Sequence, residues 1–232
     1  MSFKTVWHNT NIQHMSDYCK GGIAMNKIIK YNLEIMSLIL VTAAISAIIG
    51  WHDAGILRQM TAVFMILYTL HEWEEGRYPG GFYKIFFSKC TIDTSVSEAR
   101  MHFPVSIFLL TILLVPFIFD DVIAFALVPL VLALFEGFVH TAGIILHQLK
   151  KPYSPGMATA WIMFIYSVLM IKKLNEQTDI GATDWIIGIL LTIVTFFIME
   201  SQFVKTVGIT IREFQQSMKK YMMSRIRKDR NI

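Results

Sequence analysis

The sequence predicts an all-α membrane protein, a polytopic bundle of about six transmembrane helices followed by an amphipathic interfacial helix at the C-terminus. Of its 232 residues, 54% are hydrophobic and only 16% are charged. A soluble domain carries roughly 25% charged residues, so this chain lacks the polar surface that a soluble fold of its size needs. The length of its apolar segments and the position of its basic residues support the same prediction.

Six apolar segments each come close to the roughly 17 to 25 residues that a helix needs to cross a bilayer. We place these spans at 31–50, 55–75, 103–120, 122–147, 157–172 and 183–204. The chain therefore divides into an N-terminal arm (1–30), a six-span membrane domain (31–204) and a basic C-terminal helix (205–232).

The basic residues predict the orientation. All Lys and Arg residues except Arg58, Lys172 and Lys173 fall on one side of this span map. Basic loops stay on the cytoplasmic side, so we expect a multi-pass protein of the inner membrane with both termini in the cytoplasm. The net charge of +4 is then explained by topology, and nucleic-acid binding is not expected.

The start of the first span resembles a bacterial signal sequence, because Met25-Asn26-Lys27 leads into a basic and then apolar run. We expect a retained span, since a polar arm precedes it and five further spans follow. Met25 is an alternative start of the chain.

The C-terminal stretch 211–230 has apolar residues at helical spacing with Arg and Lys between them. This pattern is typical of a basic amphipathic helix that lies on an anionic inner leaflet. A partner-binding or solvated helix is the alternative. The apolar positions are Ile211, Phe214, Met218, Met222 and Ile226.

Ionisable residues inside spans are costly, so they are the first candidates for function. On a helical wheel, Glu74 lies about 60° to one side of His71 and Glu75 about 40° to the other, so the three share a face. Together they offer ligands to a divalent metal or form a proton-transfer group. The plainer alternative is an acidic helix end satisfied by water and Arg77.

The fourth span carries a matching set, because Glu136, His140 and His147 also point the same way. Glu136 and His140 are about 6 Å apart along the axis and can share a metal, whereas His147 is about 10 Å beyond His140. His147 then needs a second ion, a substrate role or a structural role.

The predicted topology brings both sets to one depth. The second and fourth spans run in the same direction and carry their polar residues in their later halves. Such a convergence is expected of a site in a bundle core, and it requires His71 and His140 to lie within about 10 Å of each other. Further residues of this layer are Glu34, Glu98, His102 and Glu200.

Two motifs carry a family resemblance. His71-Glu72-Trp73-Glu74-Glu75 fits HXXEE, and Tyr153-Ser154-Pro155-Gly156 fits the YXPG pattern that accompanies it, with a further histidine between them. The chain thus resembles the HXXEE family of integral membrane proteins over about 65–160. The resemblance implies an enzyme whose reaction is not established. It carries over His71, Glu74, Glu75, Tyr153, Pro155 and Gly156, and either His140 or His147, of which we favour His140 because Glu136 lies one turn away.

The leading hypothesis is a membrane-embedded metalloenzyme with hydrolase or oxidase-type chemistry on a lipid or membrane-associated substrate. Its cofactor is one or two divalent metal ions, with zinc, iron and manganese not distinguished. The candidate metal ligands are His71, Glu74, Glu75, Glu136 and His140. The candidate catalytic residues are Glu75, Tyr153 and His147.

Two other functions use the same residues. Glu74-Glu75 with His140 loosely resembles the metal-free CAAX-type intramembrane proteases. A transporter would use the polar layer as a proton or metal relay, although the sequence has no inverted repeat. The H-E-x-x-H pattern of zinc proteases and the histidine boxes of membrane desaturases are absent from the sequence.

Overall fold

The computed structural model describes residues 25–89, 96–147 and 152–230, and these residues form helices and connecting turns without a strand. The predicted all-α class is confirmed. A helical turn over 25–30 precedes the first long helix. In chain order the long helices are α1 (Asn32–Ile49), α2 (Ile56–Gly76), α3 (Phe82–Lys89), α4 (Glu98–Ile118), α5 (Ile123–His147), α6 (Met157–Gln177), α7 (Ala182–Val207) and α8 (Ile211–Arg230).

Five of these helices, α1, α4, α5, α6 and α7, are long and apolar enough to cross a membrane. The exception among the predicted spans is α2, whose last turns contain Glu72, Glu74 and Glu75. The count of six spans is therefore not confirmed. The five apolar helices fit a multi-pass membrane protein.

The polar helix α2 lies at the centre of the bundle, where it packs against α1, α4, α5 and α6. Its apolar face is fully buried at Met60, Phe64 and Met65. The buried Tyr68 hydroxyl donates to the carbonyl oxygen of Pro129 on α5 at 2.8 Å. Because its neighbours surround it, α2 keeps its charged last turn away from the outer surface of the bundle.

The outer surface of the bundle is apolar. Leu38 is 71% exposed on α1, Leu169 is 60% exposed on α6, and Ile186 is 59% exposed on α7. An exposed apolar surface of this extent is unfavourable in water and favourable against lipid. Burial and hydropathy therefore agree on a lipid environment.

The helix of the third predicted span begins earlier than expected. The sequence placed this span at 103–120, but α4 begins at Glu98 and contains Pro104 in its interior. The Asn32 side chain donates to the carbonyl oxygen of Ala99 at 2.7 Å and so fastens the additional turn to α1. The longer helix brings His102 into the bundle, where it is 5% exposed.

The predicted C-terminal helix is present as α8, whose described part packs against α7. At its start Glu213 accepts hydrogen bonds from the backbone N–H and the hydroxyl of Thr210, and these bonds lower the pKa of the Glu213 carboxyl. Contact of α8 with an anionic leaflet remains a prediction, as do the boundaries of the terminal segments.

Two glycines allow α5 to approach its neighbours closely. A Cβ at Gly137 would lie 2.9 Å from the Cβ of Phe164 on α6, and one at Gly188 on α7 would lie 2.8 Å from the Cβ of Leu127. Small residues at such crossings let membrane helices pack backbone to backbone. The position of α5, which carries Glu136 and His140, depends on these contacts.

Gly188→Ala is expected to destabilise the protein by about 1 kcal/mol, because overpacking outweighs the gain in helix propensity. Thermal unfolding of detergent-purified protein measures the effect. Gly50→Ala is the matched control, since its Cβ would meet nothing closer than an ordinary 3.8 Å contact. Equal stability of the two variants would contradict the close approach.

Candidate metal site

The predicted meeting of α2 and α5 is present at the polar ends of the two helices. His71, Glu136 and His140 each offer a ligand atom, and these atoms lie within 4.8 Å of one another. The two imidazole rings are edge to face, with centroids 5.2 Å apart, well inside the limit that a shared site requires. His71 is 3% exposed and His140 is 1% exposed.

The distances fit a common ion. One Glu136 oxygen lies 3.9 Å from His71 Nε2 and 3.8 Å from His140 Nε2. Two ligands of a tetrahedral ion bound at about 2.1 Å are about 3.4 Å apart, so small side-chain rotations would close this group around a metal. The group could hold a divalent ion.

Glu75 contacts the same group from α2, one turn after His71. His71, Glu75, Glu136 and His140 are together called the cluster. The Glu75 Oε1 atom lies 3.0 Å from His140 Nε2 and 3.6 Å from His71 Nε2. Despite the short distance, His140 Nε2 has no partner with hydrogen-bond geometry among the described residues. A buried nitrogen without a hydrogen bond, beside two carboxylates, is what a metal ligand presents before the ion binds.

The Nδ1 atom of each histidine in the group lies within hydrogen-bond distance of a hydroxyl group. His71 Nδ1 lies 3.0 Å from the hydroxyl of Thr159, and His140 Nδ1 lies 3.0 Å from that of Ser154. The Thr159 hydroxyl donates to Glu74, so its oxygen accepts from His71 Nδ1–H. This chain leaves the lone pair of His71 on Nε2, which faces the cluster, as is typical of metal-binding histidines.

Glu74 does not reach the cluster. Its carboxylate accepts from the backbone N–H groups of Ala158 and Thr159, at 3.2 and 2.9 Å, and from the hydroxyls of Thr159 and Tyr153. The residue at the start of α6 is Gly156, which has no side chain to cap the helix. Glu74 therefore caps α6 from α2, and its oxygens are committed to four donors.

Tyr153 lies at the edge of this arrangement and is 39% exposed. Its hydroxyl donates to Glu74 at 2.7 Å. Burial, together with this hydrogen bond and the charge of Glu74, raises the pKa of Tyr153 to about 12. The phenol therefore stays protonated at neutral pH and serves as a hydrogen-bond donor.

Gly156 fits a space that no other residue can occupy. Its φ is +88°, and a Cβ there would lie 2.6 Å from Glu75 Cγ and 2.7 Å from His140 Cε1. The turn after Pro155 thus packs its backbone directly on the cluster.

A cavity of about 200 Å³ opens beside the cluster, with polar groups on one wall and apolar side chains on the others. His71, Glu75 and Glu136 face it from α2 and α5, and Glu72 and Glu200 also line it. The apolar wall consists of Phe82, Tyr83, Val105, Phe135, Val139, Phe196, Met199, Phe203 and Phe214.

Three other residues of the predicted layer, Glu34, Glu98 and His102, have partners outside the His71–Glu136–His140 group. Glu72 lies 3.4 Å from the buried His102, Glu34 pairs with Arg77 at 2.7 Å, and Glu98 pairs with Lys84 at 3.0 Å. His147 ends α5, and its side chain lies outside the described residues. Its catalytic role therefore stays a prediction.

Residues 62–171 match the model of a family described as a protein of unknown function with HXXEE motif. The resemblance to the HXXEE family is confirmed. No curated protein and no solved structure matches the chain significantly. The HXXEE segment includes the cluster residues of α2 and α5 and the turn before α6, while the family description names no activity.

The last two glutamates of the HXXEE motif, Glu74 and Glu75, contact different parts of the structure. His71 and Glu75 face the cluster, whereas Glu74 binds the YXPG turn and the start of α6. Sequence reasoning missed Thr159, because a threonine three residues after a motif gives no signal of its own. Ser154 lies within the quoted motif, but its contact with His140 depends on the tertiary fold.

Gly156→Ala is expected to cost more stability than the left-handed backbone alone explains. The strain of a Cβ at positive φ is about 1–2 kcal/mol, and the contacts with Glu75 and His140 add to it. Gly208→Ala is the matched control, since φ there is +84° and a Cβ would meet nothing. If the unfolding temperature falls equally in both variants, the turn makes no tight contact with the cluster.

Proposed function

We propose that the protein is a membrane-embedded, metal-dependent hydrolase that acts on a lipid or another membrane-associated substrate. The observation that carries the proposal is the convergence of two buried imidazole Nε2 atoms and two carboxylates, with both Nδ1 atoms held by hydroxyls. Two histidines and one carboxylate are the ligand set of a common class of hydrolytic zinc sites, which keep one position open.

His71, Glu136 and His140 hold the ion in this proposal, and Glu75 is the general base. A divalent ion held by these residues would act as a Lewis acid and would lower the pKa of a bound water molecule. Glu75 then takes a proton from the attacking water as the water oxygen bonds to the carbonyl carbon of the substrate. The same proton passes to the leaving group as its bond to that carbon breaks.

Glu74 and Tyr153 are positioning residues in this scheme. Glu74 fixes Thr159, and Thr159 fixes the His71 ring, so their effect reaches the ion through His71. Tyr153 secures Glu74 from the turn. An apolar cavity beside the cluster favours a substrate with hydrocarbon, because its walls offer few polar partners.

The two-histidine, one-carboxylate set also occurs in iron enzymes that activate oxygen. Oxidase-type chemistry is therefore the second candidate. Glu75 favours hydrolysis, since a further carboxylate beside the ligand set supplies the base that hydrolysis requires.

Detergent-purified protein is expected to contain stoichiometric metal that is lost in His71→Ala and His140→Ala. Elemental analysis measures this, and His52→Ala is the control because His52 is exposed in the turn between α1 and α2. Zinc would support hydrolysis and iron would support the oxidase candidate. A metal-free wild type would overturn the proposal and leave the metal-free protease, while Glu136-dependent proton flux in proteoliposomes would indicate a transporter.

Thr159→Val is expected to weaken metal affinity about 10–100-fold, because His71 loses the partner that orients its ring. Titration with a competing chelator measures the affinity. Thr159→Ser keeps the hydroxyl and is expected to restore it. A Val variant that binds metal as tightly as wild type would show that the hydroxyl does not position His71.

A further inference from the structure

We propose that an apolar groove between α4 and α7 holds the hydrocarbon tail of a membrane lipid whose polar head reaches the cluster. The inference rests on the proposed function and specifies its substrate class. The substrate is a lipid from the bilayer leaflet that lies at the same depth as the cluster. The groove has a volume of about 350 Å³ and is lined mainly by α4 and α7 residues, among them Pro104, Ile107, Phe108, Thr195, Ile198 and Met199.

The groove adjoins the cavity beside the cluster at Met199, which lines both. Val105 and Phe196 face the cavity, and their chain neighbours Pro104 and Thr195 face the groove. Methionine is unbranched and flexible, so it can move aside for a chain more easily than a branched or aromatic residue. The two spaces therefore form one path with a polar end and an apolar end.

The path continues away from the cluster. Thr111 and Thr195 also line a further depression of about 100 Å³. Its other lining residues include Ile112, Val115, Pro116 and Leu191. From Phe103 to Pro116 the path follows α4 for about 20 Å, at 1.5 Å per residue. One leaflet contributes about half of the roughly 30 Å hydrocarbon core, so the path is long enough for the tail of one lipid.

The groove presents an apolar lining despite its threonines. The hydroxyls of Thr111, Thr195 and Thr206 donate to the carbonyl oxygens of Ile107, Leu191 and Gln202 in their own helices. These bonds satisfy the threonine hydroxyls, so the hydroxyls need no partner from the occupant, and Gln202, the other polar residue of the lining, is exposed.

The groove also opens directly to the bilayer. Both α4 and α7 are among the helices that can cross a membrane. Ile107 is 50% exposed and Ile198 is 57% exposed at its rim. A lipid can therefore enter sideways from the bilayer, and its tail need not pass through water.

Photo-crosslinking tests the proposal with phosphatidylglycerol that carries a diazirine in the middle of one acyl chain. The protein is reconstituted in vesicles of phosphatidylethanolamine and phosphatidylglycerol, and labelled residues are mapped by mass spectrometry. Label is expected to concentrate on the groove residues of α4 and α7. Met199→Trp is expected to reduce that label several-fold near the cavity, and Thr195→Phe, a milder change, is expected to reduce it in mid-groove.

Val63→Trp is the matched control. It lies in an apolar groove of about 400 Å³ that is lined by Ile48, Trp51, Ala62, Val63, Ile66 and Leu67 and shares no residue with the cavity. This variant is expected to leave the label on α4 and α7 unchanged. Label spread evenly over the lipid-facing helices, or label insensitive to both groove variants, would overturn the proposal.

Metal content separates this proposal from the proposed function. Met199→Trp is expected to retain the metal of the wild type, and His71→Ala is expected to lose metal while its groove labelling persists. Concentrated labelling in a metal-free wild type would support the groove and overturn the metalloenzyme. Stoichiometric metal with uniform labelling would do the reverse.

Discussion

The capping of α6 by Glu74 is the interaction on which the arrangement of the site depends. A helix start has unpaired backbone N–H groups and the positive end of the helix dipole, and both are costly where water is scarce. Gly156 cannot satisfy them, so the carboxylate from α2 does. Thr159 belongs to the same cap and also binds His71. The hydrogen bonds that join α2 to α6 therefore also orient the His71 ring.

Adjacent glutamates can serve different purposes because successive helical residues point about 100° apart. Glu74 accepts three hydrogen bonds from Ala158 and Thr159 on α6 and a fourth from the Tyr153 hydroxyl in the turn before α6. Glu75 points to two imidazoles and the wall of a cavity. A carboxylate that already accepts four hydrogen bonds is a poor ligand or base, whereas one beside the unpaired His140 Nε2 is available for either task. The surroundings of Glu74 therefore suit it to stabilising the fold, and those of Glu75 suit it to binding or proton transfer.

Helical periodicity was sufficient to predict the centre of the site. His71 and Glu75, and likewise Glu136 and His140, are four residues apart, so each pair occupies one face whatever the tertiary packing. The role of Glu74 was not predictable in this way, because its partner Ala158 at the start of α6 lies 84 residues later in the chain. Hydropathy likewise could not predict the central position of α2, because its polar last turn is buried by neighbouring helices and a count of apolar residues does not register that.

The charges of the cluster give an argument for a cation that is independent of the motifs. The Glu75 and Glu136 side chains are 7% and 22% exposed, and an enclosed carboxylate needs either a proton or a compensating charge. Among the described residues, the ion pairs of Arg58, Arg77 and Lys84 are with Asp120, Glu34 and Glu98, all outside the cluster. The carboxylates of the cluster face imidazoles instead. Imidazoles compensate carboxylates only when protonated, but a divalent ion compensates two carboxylates at once and uses both neutral imidazoles as ligands. Binding of such an ion would therefore satisfy the His140 nitrogen and both carboxylates in one step, while the cap at Glu74 stays unchanged.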